Sequence, residues 1–440
     1  MDRSLIPGLA LVLASLGMLA WSLFLRRRHR LVHDLPTSKA QGVFIGLVEL
    51  KGTAEAEAPL RSYLAEARCV HYGWTVEERW SRTVTETYTD SDGKTKTRTR
   101  HESGWKTVAS GGETIAFYVQ DDTGAVLVRP SGAKIETCGL FSETVSRGDA
   151  LYYQKGPPDA VSHSDHVRRF NEAGIPLHAE LFIVGRARER ADVVAPEIAE
   201  DREAPLFLIS CRSEERVLSG YGLGSWITWL LGLAAAVGAG AVLGEQSVRF
   251  APRDDYRPLF VGGGAFLLLW SAAWVSMVYN SLVGLRERVR QSWSLIDVEL
   301  KRRHDLIPAL VAALDGLRAH EQTVQTALAR FRAQSVATPP GVAGPDFQGL
   351  AASLRVVAEN YPELKTQPNF ARLHAELVTT EQRVALARTY YNDTATHFAT
   401  RLERVPDRWV ARLGRMQPAP LLAASDFERA EVRVRFADGD

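Results

Sequence analysis

Cysteine is scarce in this chain: Cys69, Cys138 and Cys211 are the only three in 440 residues, and no Cys-x-x-Cys pair exists. That excludes a disulfide framework and a Cys-rich zinc site. Charge of one sign is lacking too. Lys and Arg total 53 against 52 Asp and Glu, a net charge of +1, so bulk electrostatics give no sign of a nucleic-acid binder. "ASGGE" (109–113) has neither the Lys nor the following helix of a phosphate loop and reads as a turn between strands. "HSDH" (163–166) has a His-x-x-His spacing but no third ligand in view, and reads as a solvated loop. Asp121-Asp122 reads as a hairpin turn, not a catalytic pair. The residues point to no catalytic group, no cofactor and no metal.

Apolar length is abundant. Leu5 to Leu25 is uncharged across 21 residues, enough to cross a hydrocarbon core of roughly 30 Å. A second uncharged run goes from Val217 to Gly244, most apolar from Ser225 onward, and a third from Pro258 to Leu285. Trp226, Trp229, Trp270 and Trp274 lie in these runs, some near ends where interfacial aromatics are favoured. The spans are expected at 5–25, 225–244 and 259–280. Only Arg3 precedes the first run while "RRRHR" (26–30) follows it. That order predicts an uncleaved anchor with its N-terminus outside. Residues 31–216 and those after Arg286 then lie inside, and the loop 245–257 outside. Arg249, Arg253 and Arg257 in that loop run against the rule.

Between the first two runs the chain reads as β-rich. "QGVFIGLVELKG" (41–52) and "CVHYGWTVEERW" (69–80) alternate as strands do. "TETYTDSDGKTKTRTR" is two Thr-rich arms around Asp92-Gly93, a strong hairpin signal. "ETIAFYVQDDTGAVLVRP" (113–130) gives a second hairpin turning at Asp122-Thr123-Gly124, and segments 179–190 and 204–211 add strands. Many short strands with Gly and Asp turns suggest a small barrel or sandwich. This region, about 36–220, resembles the GIDE (BAM) domain family. The resemblance rests on "PLRSYLAEARCVHYGWTVEER", "GWKTVASGGETIAFYVQDDTGAVLVRPSGA" and "FLISCRSEERVL". It implies a domain held between two membrane helices and, in a eukaryotic ubiquitin ligase of the family, a following RING. A RING needs about eight Cys and His ligands for two zinc ions. After Gly244 this chain has no cysteine, and its histidines there are His304, His320, His374 and His397. Ligase activity therefore does not carry over.

The remainder is helical. From Tyr279, apolar residues recur at Leu282, Leu285, Val289, Trp293, Ile296 and Leu300, one helix face. "SVATPPGVAGPD" (335–346) breaks helix. A short helix over 347–360 and a long one over 369–404 follow, so four amphipathic helices predict a bundle. "YNSLVGLRERVRQSWSLIDVELKRRHDLIPALV" (279–311) and "ENYPELKTQPNFARLHAELVTTEQRVALARTYYND" (359–393) resemble the LemA family. That implies a membrane-anchored helical scaffold without established enzymatic chemistry. Ala399 stands where relatives usually have Asn. In "HDLIP", proline costs least in a first helical turn, so one helix is expected to end near Arg303 and another to start at Asp305 as N-cap. The alternative, a His304-Asp305 dyad, has no nucleophile nearby in sequence. Arg303 falls on the apolar stripe and calls for a buried partner, with Asp297, Glu381, Arg388 and Asn392 as candidates. Such a network would fix helix register or bind a peptide.

The expectation is an α+β membrane protein of three transmembrane helices, a β-rich GIDE-like domain (36–220) and a LemA-like four-helix bundle (281–437), in the bacterial inner membrane. The expected function is scaffolding, with the lipid bilayer and unnamed proteins as partners and self-association left open. A ubiquitin-transferase-like role, implied by the GIDE resemblance alone, and a subunit of an envelope-stress assembly are the alternatives.

Overall fold

Alternating apolar residues build the β-rich part strand by strand. In a computed structural model, which describes residues 6–89, 95–190, 192, 195–202, 204, 206–247, 257–315, 329, 355 and 368–422, the chain divides into two units. One is Thr37–Gly220; the other combines Met1–Pro36 with Tyr221–Asp440.

The first unit contains β1 (Thr37–Ser38), β2 (Gly46–Glu55), β3 (Leu60–Arg61), β4 (Arg68–Thr89), β5 (Thr95–Thr114), β6 (Phe117–Gln120) and β7 (Ala125–Val128). It continues with β8 (Lys134–Glu136), β9 (Cys138–Ser146), helix α1 (Ala150–Gln154), β10 (Ser164–Pro176), β11 (Glu180–Glu189), β12 (Pro196–Ala199) and β13 (Leu208–Ser210). Strand β2 pairs with β6, β6 with β7, β7 with β12, β12 with β11, and β11 returns to β2. That closure makes a five-strand barrel and removes its open edges. Val48, Leu50, Phe117, Val119, Ile183 and Ile198 fill the interior, where their apolar area is withdrawn from water.

A second sheet runs β3–β4–β10–β9, with β5 on the other side of β4. The arms of the long β4–β5 hairpin pair out to Thr89 and Thr95, as the Thr-rich alternation predicts; the turn at Asp92-Gly93 lies outside the described residues. The outer arms are exposed on both faces, which is why both faces are polar. The β6–β7 hairpin turns as expected, with Asp121 Oδ1 accepting from the Thr123 and Gly124 amides. "ASGGE" is not a turn but part of β5. The Trp74 ring lies over Gly111 so closely that a Cβ there would come within 2.9 Å of it, so glycine marks a close approach rather than a bend. "HSDH" opens β10: His163 and His166 take positive φ, and Asp165 accepts from Arg79 and Ser81.

The second unit is helical: α2 (Ile6–His33), α3 (Glu214–Ser247, from its residue 221), α4 (Arg257–Asp315), α5 (Pro368–Glu403) and α6 (Asp407–Leu413). Three of the described helices contain stretches long and apolar enough to cross a membrane, Ile6–His33, Glu214–Gly244 and Arg257–Leu310. They meet through small residues. Ser15 and Ser22 of α2 donate to the Gly232 and Ser225 carbonyls of α3, both at 2.9 Å. A Cβ on Gly262 of α4 would come within 2.4 Å of the Ala236 carbonyl oxygen of α3. Close backbone approach is how apolar helices associate where no hydrophobic drive separates them from lipid.

Beyond the apolar stretch, α4 packs on α5 through Leu285, Val289, Ile296, Tyr391, Ala395 and Phe398. Two expectations fail here. The helix does not end near Arg303 and restart at Asp305: it runs unbroken to Asp315 with Pro308 inside it. Proline inside a helix costs about 3 kcal/mol, but Arg303, Ile307 and Leu310 continue the buried stripe of Ile296. Burial of that face offsets the lost hydrogen bond. Trp293 is not in the core. It is 46% exposed and meets Tyr391 edge-on, ring centroids 5.4 Å apart. Of the other two helices of the expected bundle, the one from Asp305 is described only to Asp315, within α4, and the one over 347–360 falls almost wholly outside the described residues.

Candidate functional site at the end of the first apolar helix

The site begins with an aspartate. Asp34 follows α2 directly, at the end of "RRRHRLVHD", and its amide closes the last turn onto the Arg30 carbonyl at 2.9 Å. The residue is 4% exposed within the helical unit. Arg401 Nη1 of α5 donates to Oδ1, Ser281 Oγ of α4 donates to Oδ2 at 2.7 Å, and His397 Nε2 lies 3.2 Å from Oδ1. The His33 ring lies 3.5 Å from the same oxygen, and Arg288 Nη1 donates to the Asp34 carbonyl at 3.0 Å.

A second carboxylate completes the network. Asp407, in the first turn of α6, accepts from Arg401 Nε at 2.7 Å and from both Arg30 Nη atoms at 3.4 Å. Arg401 is thus the bridge between two buried aspartates, and four helices (α2, α4, α5 and α6) meet through one charge network. Burial pushes the Asp34 carboxyl upward, but hydrogen bonds from His33, His397 and Ser281 and the charge of Arg401 outweigh it and hold it well below the usual carboxylate range. The aspartate is ionised, and its charge is matched on the spot, the condition under which a buried ion network persists.

The chemistry available is limited. In a hydrolytic triad a histidine stands between nucleophile and carboxylate; here Ser281 and His397 both address the carboxylate, on different oxygens. A hydroxyl donating to so weak a base is not activated as a nucleophile. His33, Asp34 and His397 offer one ligand atom each within 4.8 Å of one another. Yet Asp34 Oδ1 is already held by Arg401, and a dication there would stand against that guanidinium. The arrangement suits the joining of helices, not a reaction.

The residues singled out from sequence lie elsewhere. Arg303 is buried, Asp297, Glu381 and Arg388 are half-buried and Asp305 is exposed; Asp297, Arg303, Glu381 and Arg388 all make further contacts. Asn392 grips the backbone of Leu422 twice, donating to its carbonyl at 3.0 Å and accepting from its amide at 2.9 Å. A usable signal for the Asp34 network existed. Arg401 continues the buried face of Thr394 and Phe398 on α5, the same argument that singled out Arg303.

Comparison with known families finds two matches, in the order the motifs imply. Residues 85–244 match the GIDE family, described as an E3 Ubiquitin ligase, and residues 292–436 match the LemA family. No curated protein and no solved structure matches the chain.

Proposed function

We propose that this chain is a non-enzymatic scaffold that holds a GIDE-like β domain and a LemA-like helical module on one membrane anchor. The observation that carries the reading is the Arg401 bridge. It fastens the end of the first apolar helix to α4, α5 and α6 through residues 247 to 377 positions from Asp34 or Arg30 in sequence. A built-in tie between anchor and module is what a platform needs, and its groups are spent on one another rather than on a substrate.

The GIDE description raises a transferase as the alternative. RING-type transfer requires zinc ligands that the sequence after Gly244 does not supply. A cysteine relay requires an accessible thiolate. The Cys69 thiol is pushed up by burial to about 11, and the Cys211 thiol by burial and by Cys138 to about 12. The test is metal analysis and a modifier-transfer assay on the purified full chain. The scaffold reading expects no stoichiometric zinc and no transfer. Two zinc ions per chain, or transfer abolished by Cys138→Ser, would replace it with the transferase.

The proposed placement is a bacterial inner membrane, with the N-terminus outside and both modules inside, supported by the basic run 26–30 after the first apolar stretch. In a cysteine-free background, Thr95→Cys should be shielded in spheroplasts and Ala251→Cys should react. The reverse pattern would overturn the orientation.

A further inference from the structure

Beside the aspartate network lies a cavity of about 350 Å³ between α2, the start of the apolar part of α3, and the turn before α6. Its wall carries four arginines, Arg26, Arg30, Arg401 and Arg404, against one carboxylate, Asp407. That carboxylate is already shared by Arg401 and Arg30, so the cavity holds unspent positive charge. Arg26 Nε donates to Ser225 Oγ at 2.8 Å and its guanidinium stacks over the Trp226 ring at 4.6 Å. Its buried Nη2 has no hydrogen-bond partner among the described residues. The Arg404 side chain has no acidic partner among them.

The position is as telling as the charge. Arg26 directly follows Leu25, the last residue of the uncharged run. On the same helices Trp21, Phe24, Leu223, Trp226, Ile227 and Leu230 are exposed. The cavity therefore sits where lipid-facing apolar surface gives way to a basic rim, the level of phospholipid headgroups. Guanidinium forks recognise phosphate oxygens in pairs.

We infer that this cavity binds a phosphate group, supplied by an anionic phospholipid whose acyl chains lie along the exposed faces of α2 and α3. The inference goes beyond the scaffold reading and rests only on α2 and α3 crossing the membrane, which carbonate extraction checks separately. The experiment is native mass spectrometry of the full chain in neutral detergent, titrated with phosphatidylglycerol, phosphatidylcholine or inorganic phosphate. One phosphatidylglycerol should bind at least tenfold more tightly than phosphatidylcholine. Arg26→Gln with Arg404→Gln should remove that preference. The exposed single variant Arg404→Gln, which disturbs no buried contact, should weaken it about threefold, and Arg79→Gln in the β domain should leave it intact. Arginine-dependent uptake of inorganic phosphate at the affinity of the lipid would keep the phosphate site and transfer it to a soluble source. Equal binding of the two lipids, or a preference untouched by both arginine variants, would overturn it.

Discussion

Asp34 in the helical unit and Glu49 in the barrel are buried alike, 4% and 1% exposed, yet they ionise in opposite directions. Loss of water pushes both upward. Asp34 is met by a serine, two histidines and an arginine, and stays charged. Glu49 receives the Thr37 hydroxyl at 2.7 Å and has Lys51 at 3.4 Å, while its Oε2 has no hydrogen-bond partner among the described residues. Burial, with the charge of Glu214 adding to it, raises Glu49 to about 7. The supply of donors decides whether a buried carboxylate is a tie or a liability.

The sharpest way to break the comparison is to take donors from Asp34. Arg401→Ala leaves two aspartates buried without their cation and should cost the helical unit about 3–5 kcal/mol, read by segment-resolved hydrogen exchange of the full chain. Equal protection in variant and wild type would mean the network contributes nothing.

Glu49 offers the opposite manipulation. Its folded form holds a proton more tightly than the unfolded chain, whose value is near 4.5. That proton therefore favours folding at low pH, and its contribution is lost as pH rises through about 7. Glu49→Gln should stabilise the barrel by on the order of 2 kcal/mol at pH 8, with the gain shrinking towards zero by pH 4. Asp34 has the reverse sign. Its depressed value gives stability that is present above about pH 4 and lost as pH falls further, so acid should loosen the helical unit's exchange protection and Asp34→Asn should flatten that dependence. A common pH direction for both units would refute the contrast.

The smallest effects test the α4 face. Trp293→Ala should cost about 1 kcal/mol, the worth of an exposed aromatic pair with Tyr391, rather than the roughly 3–5 kcal/mol of a core ring. Asp305→Ala, at a mid-helix exposed position, should change the melting temperature by less than the error of the scan; loss of about 1 kcal/mol would restore the cap.

What the sequence made legible follows from what was periodic. Barrel strands, the β6–β7 turn and the apolar helices are local patterns, and they appear where the alternation and the runs place them. Gly111 and Pro308 misled because each was taken for local punctuation. Gly111 answers to the Trp74 ring across the sheet, and Pro308 is tolerated because a whole helix face is buried around it. Asp34 was invisible for a related reason. Apart from the adjacent His33, its partners lie 247 to 367 residues away, and a lone aspartate after a basic run has no spacing to betray it. Arg303 and Arg401 are instructive together: both sit on buried stripes, and only one drew notice.

The most direct test of the account is hydrogen exchange of the full chain in nanodiscs, wild type against Asp34→Ala. If Asp34 ties the anchor to the helical module, residues 30–34 and 397–413 should lose protection together, while the barrel strand 46–55 keeps its own. Full protection of 397–413 in the variant would contradict the claim that one buried aspartate joins them.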